Sequence, residues 1–282
     1  MSVSDHVEEF LEARMAEGLS PATVAWYRFQ ISRFVSWLDG REVSLKLCRA
    51  YLAEMSVAGL SSSMRRGAAI AIRAFSRWLA DEELGDDFAA RLRLPRKGKH
   101  LPREAKLSDI ARAFAVASPR DRAMLVFMLD TGARRAEVAA LRWVDVDLDS
   151  RRAVLTGKGD KQRMVAISDR TADLLRAIRP AVISADDHVF VGQRGPLTPN
   201  GVSMVLRRLK EKAGIVGPLN PHSLRHAFGT HFVANGGDLE SLRQILGHED
   251  ISTTRVYLDL ARETVEEKQR RFSPVNGLKL PD

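Results

Sequence analysis

The chain has 282 residues, 45% apolar and 28% charged, a balance that suits a globular protein with room for two ordinary domains. No run of about 18 apolar residues is present, and the N-terminus MSVSDHVEEF lacks a charged stretch leading into an apolar one, so neither a membrane span nor a secretory leader is expected. The single cysteine, Cys48, excludes an internal disulfide and fits a reducing, cytoplasmic setting; the net charge is +8, and most of the excess lies in residues 91–106, which suits a polyanionic partner and equally a solvated charged linker.

Residues 1–90 read as wholly helical. Val7, Phe10, Leu11 and Met15 fall on one face of a first helix that Gly18 can end. Ser20-Pro21 is a cap followed by proline at the first helical position, and Val24, Tyr27, Ile31, Phe34, Val35 and Leu38 recur at three- and four-residue spacing behind it. Ser44 opens a third helix with Leu47, Tyr51, Leu52 and Met55 inward. The run Ser61–Ser63 opens a fourth with Ala68, Ile72, Phe75, Trp78 and Leu79 inward. Residues 1–94 are therefore expected to form a small all-α domain. Next comes RLRLPRKGKHLPREAK, residues 91–106, with seven basic residues and one acidic; its two prolines and glycine mark residues 95–106 as an exposed linker.

Residues 107–282 make the second domain. Ser108 is expected to cap a helix, Pro119–Leu129 to form another, Thr131-Gly132 to interrupt, and Arg134–Leu141 to form a short one. WVDVDL, RAVLTG and QRMVAI read as strands, the last two joined by the glycine-rich turn Gly157-Lys158-Gly159-Asp160. Helices resume near Asp169, with a small strand at HVFVG. A helical tail is expected from Arg262 to Phe272. The fold class is mainly α with a small β-sheet.

No metal site is expected. With one cysteine there is no zinc-ligand cluster, His222 and His226 lack the metalloprotease glutamate between them, and Asp145, Asp147 and Asp149 fit the wet face of a strand better than a calcium loop. Neither does GKGDK meet the spacing of a nucleotide-binding loop, and no cofactor is expected. What stands out is a concentration of histidine and arginine near the C-terminus: four of the seven histidines lie between His222 and His248. His222 and Arg225, three apart behind Pro221, share a helix face and can donate hydrogen bonds to phosphate oxygens; a solvated basic face fits the same residues. Gly247 can end the helix before His248, and Ser252 can cap a short helix carrying Tyr257. Tyr27 and Tyr51 sit on apolar faces and fit a core role. Upstream, Arg134 follows a glycine break at a helix start, where an anion is favoured, and Glu137 one turn on can hold its guanidinium. Lys158 at the hairpin tip can reach a bound substrate or simply be solvated.

The strings TGARRAE, GKGDKQR, HSLRHAFGTH and LGHEDISTTRVY, behind a helical segment containing SPATVAWYRFQISRFVSWL, resemble the tyrosine recombinase family, especially Xer-type recombinases and compact phage-type integrases. The resemblance covers nearly the whole chain. It implies a helical SAM-like core-binding domain and an α+β catalytic domain, with Arg134, Lys158, His222, Arg225, His248 and Tyr257 as the catalytic set and Glu137 in support. It also implies cutting and rejoining of double-stranded DNA through a 3′-phosphotyrosyl intermediate. Partners would be duplex DNA with short inverted-repeat sites and other protomers, as a homotetramer or heterotetramer. A type IB topoisomerase, a non-catalytic DNA-binding regulator on the same fold and an RNA-binding helical protein are the rival readings.

Overall fold

Three of the four α-helices of the N-terminal part start where a serine side chain satisfies an otherwise unpaired amide. In the computed structural model, which describes residues 3–96, 104–247, 257, 269–271, 273 and 275, α1 spans Val7–Ala16, α2 Pro21–Leu38, α3 Leu45–Val57 and α4 Ser62–Asp81. The hydroxyls of Ser20, Ser44 and Ser61 accept from the amides of Thr23, Leu47 and Met64, which are N-cap bonds. Phe10, Leu11, Ile31, Phe75 and Trp78 fill one part of the core between these helices, and Phe34, Tyr51, Met55 and Ile72 fill another. Burial pushes the Cys48 thiol up to about 12, so it behaves as a small apolar side chain. Met15 departs from expectation. It is 52% exposed, and the fully buried stripe of α1 ends at Leu11.

The chain divides into two compact units, Met1–His100 and Leu101–Asp282. The second contains α5 (Leu107–Val116), α6 (Pro119–Thr131), α7 (Arg135–Ala140), α8 (Asp169–Arg176), α9 (Pro199–Lys212), α10 (Pro221–Ala234) and α11 (Leu239–Leu246). Strands β1 (Val146–Asp147), β2 (Arg152–Thr156) and β3 (Gln162–Ala166) pair antiparallel in the order β1-β2-β3, with Thr156 opposite Gln162 at the turn. A small hairpin joins β4 (Val191–Gly192) to β5 (Gly195–Pro196). Phe127, Phe190, Leu125, Leu155, Leu206 and Leu224 meet in the core of this unit.

Three local expectations are corrected here. Ser108 does not cap α5; Lys106 occupies the cap position, so Ser108 lies inside the first turn. WVDVDL is not an alternating strand. Trp143–Asp145 forms a 3-10 turn, leaving two residues for β1. The aspartates explain why: Asp145 accepts from the Arg142 amide and Asp147 from those of Asp149 and Ser150, so their side chains stabilise turns. Arg134 is the N-cap of α7 rather than its first helical residue. Of the expected tail helix, only 269–271 fall among the described residues, and they are helical. The linker residues 97–103 lie outside them.

Candidate active site

The site is organised where α6, α7, β3, α10 and α11 meet. α6 ends on Gly132, whose φ of 62° is left-handed; a Cβ there would also stand 2.6 Å from Leu246 and 2.8 Å from Phe228. Only glycine meets both demands. Arg134 follows at once. The Glu137 carboxylate turns back to accept from the Arg134 amide at 2.7 Å and from its Nη1 at 3.0 Å.

Glu137 is buried, its side chain 1% exposed. A carboxylate in that position needs compensation, and removing one partner of such a pair costs about 3–5 kcal/mol. Arg163, on β3, supplies most of it: Nη1 and Nη2 reach Oε1 and Oε2 at 2.5 and 2.7 Å, a parallel fork. Burial by itself would raise the Glu137 carboxyl. The hydrogen bonds and charge of Arg163, and then the Arg134 amide and guanidinium, outweigh it, and the carboxyl lies below its ordinary value.

α11 ends on Gly247, with φ 62°. The last carbonyls of a helix have no partner within it. Here three successive ones each receive a different arginine: Ile245 O from Arg163 Nε at 2.7 Å, Leu246 O from Arg225 Nη2 at 2.7 Å and Gly247 O from Arg134 Nη2 at 2.9 Å. The cationic groups also sit at the negative end of the helix dipole. Arg225 has a second anchor, donating from Nη1 to the Gly132 carbonyl at 2.7 Å. It is buried within α10, and burial first, with the neighbouring charge of Arg134 second, brings it down to about 10; it remains charged at neutral pH.

Tyr257 is 1% exposed and sits in an apolar cluster with Val233, Leu242 and Leu246. Its ring lies against α10 at Gly229, where a Cβ would stand 2.5 Å from the ring, and beside His226 at 5.7 Å between ring centroids. Burial raises the phenol, and the positive charges of Arg225 and Arg134 oppose the rise, so both guanidinia are within electrostatic reach of this ring. His226 is pushed down, first by burial and then by the charges of His222 and Arg225.

Residues 103–264 match the phage integrase family, and residues 7–83 match the phage integrase N-terminal SAM-like domain. The tyrosine recombinase XerC of Xanthomonas campestris pv. campestris (strain B100) is 33% identical over 269 residues, covering 90% of this chain and 84% of that protein. XerA of Thermococcus kodakarensis is 31% identical over 280 residues and 96% of each chain. Among solved structures, a lambda integrase dimer bound to a COC′ core site aligns with a TM-score of 0.76 at 15% identity, over 90% of this chain and 97% of that one. The chain belongs to the phage integrase family.

It is a site-specific tyrosine recombinase, a DNA strand-exchange transesterase, and topoisomerase-type relaxation is not the favoured reading. Within this recombinase, Arg134, Glu137, Arg225 and Tyr257 come together around the α6–α7 junction and the end of α11. His222 is exposed on the first turn of α10, whereas Arg225, one turn later, points inward. Lys158 belongs to the 3-10 turn between β2 and β3, as its place in the sequence suggested; its side chain, and the whole of His248, lie outside the described residues. Two contributors were missed from sequence. Gly229 carries no chemical signal. Arg163 does carry one: on β3 it shares the inward phase with buried Val165, and an arginine in that phase calls for an acidic partner inside.

Proposed function

We propose that this recombinase breaks and rejoins duplex DNA by attack of the Tyr257 hydroxyl on a scissile phosphate. The phenolic oxygen forms a bond to phosphorus, the 5′-oxygen of the next nucleotide leaves, and a 3′-phosphotyrosyl link holds the broken end until a 5′-hydroxyl reverses the step. The observation that carries this reading is the packing of the Tyr257 ring on Gly229 of α10, the helix that carries Arg225, and beside Leu246 at the α11 terminus, where the guanidinia of Arg134 and Arg225 are anchored. Arg134 and Arg225 each spend two N–H donors on protein carbonyl or carboxylate oxygens and retain others for the non-bridging oxygens, where charge grows in the transition state. His248 adds a further hydrogen bond, His222 takes part in moving the phenol proton, and Lys158 protonates the leaving oxygen. Since burial holds the Tyr257 proton more tightly than usual, the attack needs such help.

Residues 1–94 act as the core-type DNA-binding domain, 95–106 as a basic linker and 107–282 as the catalytic domain with its tail. The partner is double-stranded DNA with short inverted-repeat sites, in the cytoplasm, on which protomers assemble as a tetramer of one or two kinds of chain. An apolar groove lined by Leu107, Val126, Leu129, Phe228 and Phe232 supports docking between protomers. No helix among the described residues is long and apolar enough to cross a membrane.

The test is a nicked suicide duplex, on which the cleaved product cannot religate. The wild-type chain is expected to accumulate a covalent adduct, and Tyr257→Phe to bind the duplex equally well and form none. An adduct that survives in Tyr257→Phe removes the assignment.

A further inference from the structure

We propose that Arg163 is a positioning residue for strand cleavage, holding Arg134 in register with the chain that runs from α11 into His248. This deepens the reading above and rests on it.

Arg163 is 13% exposed in its side chain, and that one side chain does three things. Its two terminal nitrogens clamp both oxygens of Glu137, the carboxylate that in turn holds the amide and guanidinium of Arg134. Its Nε donates to the carbonyl of Ile245, two residues before the end of α11 at Gly247. Its aliphatic stem fills the space beside Gly247, where an added Cβ would lie 3.2 Å from Arg163 Cδ. The beginning of α7 and the end of α11, 82 residues from Arg163 through the Ile245 bond, are thereby fixed to the same rigid fork. Arg163 also stands on the strand that leaves the turn carrying Lys158, and Gly157 at the base of that turn faces Glu137, an added Cβ lying 3.5 Å from Oε1. Three of the chain segments assigned to catalysis thus meet at the Arg163–Glu137 pair.

Nothing here requires Arg163 to touch DNA. Its role follows from geometry: a displaced Arg134 or a shifted α11 terminus moves a phosphate-binding donor away from where charge develops, and a misplacement of about 1 Å can cost roughly 100-fold in rate. Lysine cannot substitute, because an ammonium is a point charge and cannot reproduce a planar fork that serves two carboxylate oxygens and a carbonyl together.

The experiment measures adduct formation on the nicked suicide duplex at saturating protein in a single turnover, reading rate constant and amplitude separately, alongside duplex affinity and Tm. Two variants are compared with wild type: Arg163→Lys, and Arg163→Met combined with Glu137→Gln, which leaves no unpaired carboxylate buried. Both are expected to keep duplex affinity and full amplitude while the rate constant falls roughly 10- to 100-fold, with Tm nearer to wild type in the double variant. A purely structural role predicts the reverse, reduced amplitude with an unchanged rate constant in the surviving fraction; that pattern overturns the proposal, as does a wild-type rate in the double variant. If the wild-type chain itself yields no adduct, the parent reading falls and takes this one with it, whereas wild-type adduct beside unimpaired variants overturns the Arg163 role alone.

Discussion

Gly229 lacks a side chain, and the reason is the phenol of Tyr257, whose ring atoms would lie 2.5, 2.7 and 2.8 Å from a Cβ at that position. None of these is a tolerable contact, and the ring edge is not the loose end of a flexible chain. Gly229→Ala therefore displaces the ring. Overpacking of this kind costs about 1–3 kcal/mol. The same substitution relieves the burial that raises the phenol, so its titration is expected to move down towards the ordinary tyrosine value. NMR of ring-labelled tyrosine reads that directly, with Tyr27 and Tyr51 as internal references. A Tyr257 signal titrating as in wild type would mean that the ring does not depend on the bare backbone of α10. At this scale the sequence spoke only through chemical type. Arg134, Arg225 and Tyr257 were conspicuous for what they can do, whereas Gly229 was silent because its contribution is an absence.

α11 is held at both of its ends. The Asp238 carboxylate caps it, accepting from the Ser241 amide at 2.8 Å, and its hydrogen bonds to Ser241, side chain and then amide, hold its carboxyl below the ordinary value. A depressed carboxyl means that the folded state prefers the ionised form. Its support for α11 is complete above the ordinary aspartate range and is lost as pH falls through the lowered value. Asp238→Ala, which removes the cap, is expected to speed amide exchange in the first turns of α11 several-fold at neutral pH; unchanged exchange would mean that the arginines at the other end hold the helix unaided. Some helix starts were legible because they are local: Ser20-Pro21 declares a cap and a first turn within two residues, and Pro119 and Pro221 mark the first helical positions of α6 and α10. WVDVDL was misread because alternation is shared by strands and by turns whose aspartates accept neighbouring amides. The closure of the α11 terminus was beyond reading. Its three arginines come from other elements, and no spacing rule links Arg163 to Ile245.

For the whole molecule, charge placement becomes the useful variable. Residues 91–106 carry seven of the 44 basic residues and one of the 36 acidic ones, a net of +6, against −3 for residues 1–90 and +5 for the much longer stretch 107–282. If this stretch neutralises phosphates, binding weakens steeply with salt, and each lost contact lowers the slope of log K against log salt by about 0.9. Lys97→Gln with Lys99→Gln is expected to flatten the slope by roughly 1 to 2 while leaving the cleavage rate at saturating protein intact. A slope identical to wild type would remove the segment from the interface. Composition changes abruptly in this stretch, which is what marks a boundary and a linker there in the sequence, and compositional change can be read without any knowledge of contacts.

The seclusion of the Tyr257 phenol has a bearing on fidelity. A recombinase meets vast numbers of phosphodiesters that it has no business cutting, and on the mechanism proposed above it carries its reactive oxygen, that of Tyr257, past all of them. With that oxygen walled in against α10, tight grip and scission become separable events, and a duplex that is gripped without drawing the ring out is left whole. Protection of a sequence from nuclease digestion, with no nick inside the protected stretch, would be the mark of such a pause.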